Sequence, residues 1–152
     1  MKNMMKRALI LATVAIMLFA LASCGGGNAD KSGAIKAAFE KEGYTVTSAK
    51  YADMDEDAKE ILELALSDDM VDKMANYEII LLSKKVAGFD VPTAIVVKCD
   101  SATAVKDFLT VTDEEGAKDT TLYDKAVDEG LINENCYIIA IDPDCIDLFK
   151  NA

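Results

Sequence analysis

Histidine, tryptophan and glutamine are absent from this 152-residue chain, and Arg7 is its only arginine. Each gap removes chemistry. Without histidine there is no Ser-His-Asp or Cys-His catalysis and no imidazole ligand for a catalytic zinc. A lone arginine near the N-terminus leaves the rest of the chain without the planar fork that grips phosphates and guanine edges. The 16 Lys and Arg residues face 27 acids, and the resulting charge of −11 opposes any polyphosphate. No nucleic-acid partner is expected. Cysteine is sparse too: Cys24, Cys99, Cys136 and Cys145 form no C-x-x-C pair, so a thioredoxin-like dithiol is missing. The longest apolar run, residues 8–22, has about fifteen residues where a membrane-spanning helix needs about 20.

That run has a definite setting. Residues 1–7 carry Lys2, Lys6 and Arg7 and no acid; residues 8–20 are uncharged and mostly aliphatic; Leu21, Ala22, Ser23 and Cys24 follow. A cationic leader, an apolar stretch of this length and a small-residue exit make the three-part layout of a secretory signal. The ending Leu21, Ala22, Ser23, Cys24 resembles the lipobox of bacterial lipoproteins. The resemblance covers the first 24 residues alone. It implies that residues 1–23 are removed and that Cys24 becomes a lipidated first residue on the extracytoplasmic side of a bacterial membrane. The protein's direct partner is then the membrane, through its lipid anchor. A diacylated cysteine holds a membrane far more durably than one acyl chain does.

Removal of residues 1–23 takes away three cations and no acid, leaving a mature chain at −14. Residues 24–32 read as the lipidated cysteine and a flexible Gly- and polar-rich stalk, whose eight residues after Cys24 span about 16 Å as a random coil. Residues 33–152 then suffice for a single acidic domain with a real core. The acids are dispersed among aliphatic residues, which marks a folded domain and not an acidic tail.

Along that domain the pattern predicts a helix over 32–42 with Ser32 as N-cap, a strand over 44–51, and helix from 53 onward with a restart near Ser67. Strands are expected at 77–83 and 91–99 around a hairpin loop at 84–90, then a helix from Ser101. A polar loop at 110–120, a helix at 121–128 ended by Gly130, a strand at 136–141 and a short helix behind Asp142 and Pro143 complete the chain. This order predicts an α+β domain with a ferredoxin-like βαββαβ core, sheet order 4-1-3-2, helices on one face, and additional N- and C-terminal helices.

Candidate sites are thin. Asp53, Asp55 and Asp57 have the alternating spacing that opens an EF-hand, but Ala58 and Leu64 stand where the loop needs glycine and a bidentate acid. Acids gathered at a helix start account for them better. Asp113, Glu114 and Glu115 read as a solvated loop, and Asp142, Asp144 and Asp147 as the start of the last helix. Cys99, Cys136 and Cys145 read as small buried hydrophobes. Cys136 and Cys145 are expected to lie beyond disulfide reach, and Cys99–Cys145 is the pair expected if any bond forms. No catalytic, cofactor-binding or metal-ligating residue is assigned, and Cys24 is the one site, as a lipid attachment point. The expected role is a non-catalytic binding or accessory module at the cell envelope, facing an unidentified envelope protein or small ligand. The alternative is a small envelope enzyme using carboxylate or thiol chemistry, with Cys99, Asp100 or Tyr123 as nominal participants.

Overall fold

A computed structural model describes residues 30–152, apart from the side chains at 57, 58, 61, 64 and 65. The signal-like segment, Cys24 and most of the stalk lie outside the described residues. Helix α1 (Lys31–Lys41) opens two residues earlier than Ser32 suggests, because Asp30 is its cap: Asp30 Oδ1 accepts from the Ser32 amide at 2.7 Å. Its buried side chains, Ile35 and Phe39, are four residues apart and share one face. Asp30 is thus the cap of α1, and Lys31 and Ser32 are its first residues.

Strand β1 (Thr45–Lys50) leads through a 3-10 turn (Tyr51–Asp53) into α2 (Glu56–Ala65) and α3 (Asp68–Lys73). Then come β2 (Glu78–Val86), β3 (Phe89–Lys98) and α4 (Ala102–Phe108), which Ser101 caps by accepting from the Ala104 amide at 3.1 Å. The expected polar loop is instead a small hairpin, β4 (Val111–Thr112) with β5 (Lys118–Asp119). Helix α5 (Thr121–Asp128), the short β6 (Ile132–Asn133), β7 (Cys136–Ala140) and α6 (Asp144–Asn151) follow.

The α+β class is as expected; the strand order is not the ferredoxin-like 4-1-3-2. The main sheet runs β1-β2-β3-β7-β6 and every neighbouring pair is antiparallel. The reason lies in the excursion between β1 and β2. A βαβ crossover carries the chain to the far end of the sheet on one helix. Here the helical stretch breaks at Ser67 into α2 and α3, and the chain returns to the end it left: Lys50 lies opposite Glu78, and the Tyr51 amide donates to the Tyr77 carbonyl at 2.9 Å. The excursion between β3 and β7 closes in the same way, with Lys98 opposite Cys136.

Helices also cover both faces, not one. Ile80, Leu82, Ala94, Val96, Cys136 and Ile138 pack with Ile35, Phe39, Cys145 and Phe149 of α1 and α6. Ile79, Leu81, Ile95, Val97 and Tyr137 pack on the other side with Leu62, Met70, Val105 and Phe108 of α2, α3 and α4 and with Met74, which caps α3. Alternate residues of β2 and β3 serve the two cores, which is why four apolar residues stand in a row at 79–82 and again at 94–97.

Candidate functional site

The nominated nucleophiles are not poised for attack. Cys99, Cys136 and Cys145 are all buried free thiols. Burial pushes the Cys99 and Cys136 thiols up to about 12 and raises Cys145 as well, so none is a thiolate near neutral pH. The expected proximity of Cys99 and Cys145 does not arise. Because β3 and β7 are antiparallel, the end of β3 meets the start of β7, and the two cysteines sit in separate cores on opposite sides of the sheet. Cys136 and Cys145 share a core, unbonded. Cys99 lies beside Tyr77, whose phenol is raised to about 12 by burial and by the nearby Cys99 and Asp100. Tyr123 of α5 instead lies under the Lys106 ammonium, 5.4 Å from its ring centroid.

The acidic clusters serve the backbone. Asp113 Oδ1 accepts from the Glu115 amide at 3.0 Å and the Ala117 amide at 2.7 Å, shaping the β4–β5 turn around Gly116. Asp142 Oδ1 accepts from the Asp144 amide at 3.1 Å and so turns the chain into α6. Asp53 ends the 3-10 turn, ahead of α2. Among the described residues no group of three or more acidic or cysteine side chains is arranged to hold a metal ion.

Two groupings do emerge. The first is an ion-pair network under the N-terminus of α1, against β1, β2 and β3. Glu78 accepts from Lys36 at 2.5 Å and lies 3.5 Å from Lys98; Lys36 also donates to Ser48 Oγ at 3.1 Å, and Lys98 pairs with Asp30. Burial alone would raise the Asp30 carboxyl, but the Lys98 and Ser32 hydrogen bonds outweigh it and hold it at about 2. Against the same burial, the Lys36 hydrogen bond keeps Glu78 below its ordinary 4.5. Lys98 is raised by Asp30 and Glu78 in spite of its desolvation. With two cations matched to two acids, the network pins α1 to β1, β2 and β3 and leaves no spare charge for a ligand.

The second grouping is the far end of the β2–β3 hairpin. Pairing continues past the ends of β1 and β7, with Lys84 opposite Val91, Lys85 opposite Asp90 and Val86 opposite Phe89. Ala87 and Gly88 form the turn, both at positive φ (52° and 88°), as a tight two-residue hairpin of the twisted kind requires. At the root, Thr93 bulges from the ladder. Its hydroxyl donates to the Leu82 carbonyl at 3.0 Å, and its own carbonyl accepts from Ile141 at 2.9 Å. The arm is thus a braced extension of the sheet. Strand alternation puts Lys84 and Val86 on the side of Ile80 and Leu82, with Val91 and Phe89 directly opposite them. Val86, Phe89 and Val91 are 53%, 74% and 42% exposed, and the Lys84 ammonium sits 5.6 Å from the Tyr44 ring centroid. The other side of the arm carries Lys85 and Asp90, and Asp90 accepts from Thr45 Oγ1 at 3.0 Å.

This contact face is missed when 84–90 is read as a loop. The signal is the alternation itself, Lys84 and Val86 before the turn and Phe89 and Val91 after it. Comparison of the chain with protein-family models, with curated proteins and with solved structures found no match.

Proposed function

We propose that the chain is an exported, lipid-anchored protein of the bacterial envelope, a non-catalytic binding or accessory module attached through Cys24. The observation that carries this reading is the segment Leu21, Ala22, Ser23, Cys24 behind a cationic leader and an apolar run. The start of the folded domain agrees with it, since Asp30 caps α1 only six residues beyond Cys24. The chemistry of the domain supports a non-catalytic role: the thiols are buried and protonated, the Asp113 and Asp142 carboxylates are used by turns, and the best-formed charged cluster is internally neutralised. Among the described residues, the β2–β3 arm gathers three exposed large apolar side chains, Val86, Phe89 and Val91, on one side.

The test is expression in a bacterial host fed an alkyne-bearing fatty acid, with mass spectrometry of the purified product. The expected result is a mature chain beginning at Cys24 and carrying acyl groups, with label lost in Cys24→Ser. A mature N-terminus elsewhere, or label that survives the substitution, refutes the reading.

A further inference from the structure

The β2–β3 arm presents three of the six exposed large apolar side chains among the described residues, and it presents them on one side. Such a patch needs a partner surface. Two features of the chain identify one.

The first is position. The chain enters the fold at Asp30, the cap of α1, and α1 packs on the same side of the sheet toward which Val86, Phe89 and Val91 point. Five residues separate Cys24 from Asp30, and the six Cα steps reach about 20 Å at most. From the Asp30 end of the sheet to the arm tip, β2 runs about 25–30 Å. A domain tethered at Asp30 and lying on its α1 side therefore brings the arm down onto the surface that holds the tether. The first two turns of α1 expose the small residues Gly33, Ala34 and Ala37, and its last turn exposes Glu40 and Lys41.

The second is charge. Lys84 shares the apolar side of the arm with Val86, Phe89 and Val91 in a strongly acidic chain, while the arm's one acid, Asp90, lies on the other side with Lys85 and is hydrogen-bonded by Thr45. Lysines beside aliphatic and aromatic groups suit an anionic lipid interface, where the stems lie in the apolar zone and the ammonium groups reach the headgroups. Asp144 and Asp147, exposed on α6, are repelled by the same interface, so the domain rolls toward α1 and β1. Three side chains are a small patch, but tethering makes the contact intramolecular and raises its effective concentration into the millimolar range.

We infer that the β2–β3 arm is a second membrane contact, with Val86, Phe89 and Val91 seated in the interface of the bilayer that carries the Cys24 anchor and with Lys84 paired to its anionic headgroups. The inference rests on Cys24 being lipidated. It makes the domain lie along the membrane in one orientation instead of swinging on its stalk.

The chain has no tryptophan, so Phe89→Trp creates a single fluorescent reporter. The full chain, processed in a bacterial host, is reconstituted into vesicles of equal parts phosphatidylethanolamine and phosphatidylglycerol. Flotation reports the anchor and the emission reports the arm. The expected result is flotation with blue-shifted emission that is quenched by lipids brominated on the acyl chain. Reversal of Lys84 to glutamate should shift that emission back to the red, while a Val111→Trp reporter on the β4–β5 hairpin stays water-like throughout. Flotation with water-like Phe89→Trp emission overturns the inference and leaves the anchor standing. Failure to float refutes the anchor, and the inference falls with it. A blue shift that grows with protein density and is not quenched by brominated lipid assigns the arm to a second copy, and overturns the inference as well.

Discussion

Replacing Glu78 with glutamine tests the charge network where it is most concentrated. Glu78 stands between Lys36 at 2.5 Å and Lys98 at 3.5 Å, and the three side chains keep between 24% and 28% of their surface exposed. The substitution keeps the shape and removes the charge. It weakens a charge-assisted hydrogen bond, worth about 1.5–3 kcal/mol when sheltered, and leaves Lys36 and Lys98 facing each other. Fully exposed pairs are worth about 0–1 kcal/mol, and a quarter-exposed network falls between the two. The expected cost is about 1.5 kcal/mol, which at a urea dependence of about 1.5 kcal/mol per molar lowers the unfolding midpoint by about 1 M. The pH dependence has a definite sign. The folded-state carboxyl of Glu78 is held below 4.5, so its contribution is fully present above that value and is lost as pH falls through the depressed one. Urea unfolding followed by far-UV circular dichroism should therefore show the two proteins separated at pH 7 and converging in acid. Equal midpoints at pH 7, or a gap that does not narrow on acidification, would refute the reasoning. A double-mutant cycle with Lys36→Met isolates the pair, and a coupling near zero would do the same.

Two further outcomes follow from the fold. Cys99, Cys136 and Cys145 should be unreactive toward a thiol reagent in the native protein at neutral pH and should react on unfolding, since burial holds Cys99 and Cys136 at about 12; prompt labelling of the folded protein would contradict this. Ala87→Gly should raise stability by about 1 kcal/mol, because alanine at φ 52° carries a left-handed penalty of about 1–2 kcal/mol that glycine escapes; an unchanged or lower thermal midpoint would show the turn to be relaxed.

The elements of this fold were legible in the sequence because their signals are local. The helix expected at 121–128 forms as Thr121–Asp128, and the β-branched run at 95–97 lies inside β3. Caps were less legible. Asp30, not Ser32, starts α1, because a carboxylate two residues ahead of an amide competes with the hydroxyl for the same end. The strand order was not legible in the same way, since two helices between two strands read alike whether the chain crosses the sheet or returns. The break at Ser67 decides between them in space, and its sequence signal is only a Ser and two acids. Layering was more open to inference. Four consecutive apolar residues in β2 and again in β3 require cover on both faces, and a one-sided helix layer would leave alternate members, Ile79 and Leu81 or Ile80 and Leu82, in water.

The arm was hidden by its own turn. A tight two-residue hairpin asks for positive φ at both central residues, and Asn or Gly is the usual announcement of it. Ala87 supplies neither, so Lys84, Lys85 and Gly88 together imitate a longer loop. Once the register is known, the reading reverses. A hairpin that outruns its neighbouring strands owes the protein's own core nothing at its tip, so selection for folding alone would favour polar residues on both sides of it. Here one side is polar and the other carries Val86, Phe89 and Val91, at the end of a chain segment braced by Thr93. A braced, one-sided apolar surface is stable in position and costly in water. That combination is what a fixed contact with an external surface requires, and a flexible loop of the same composition would not provide it.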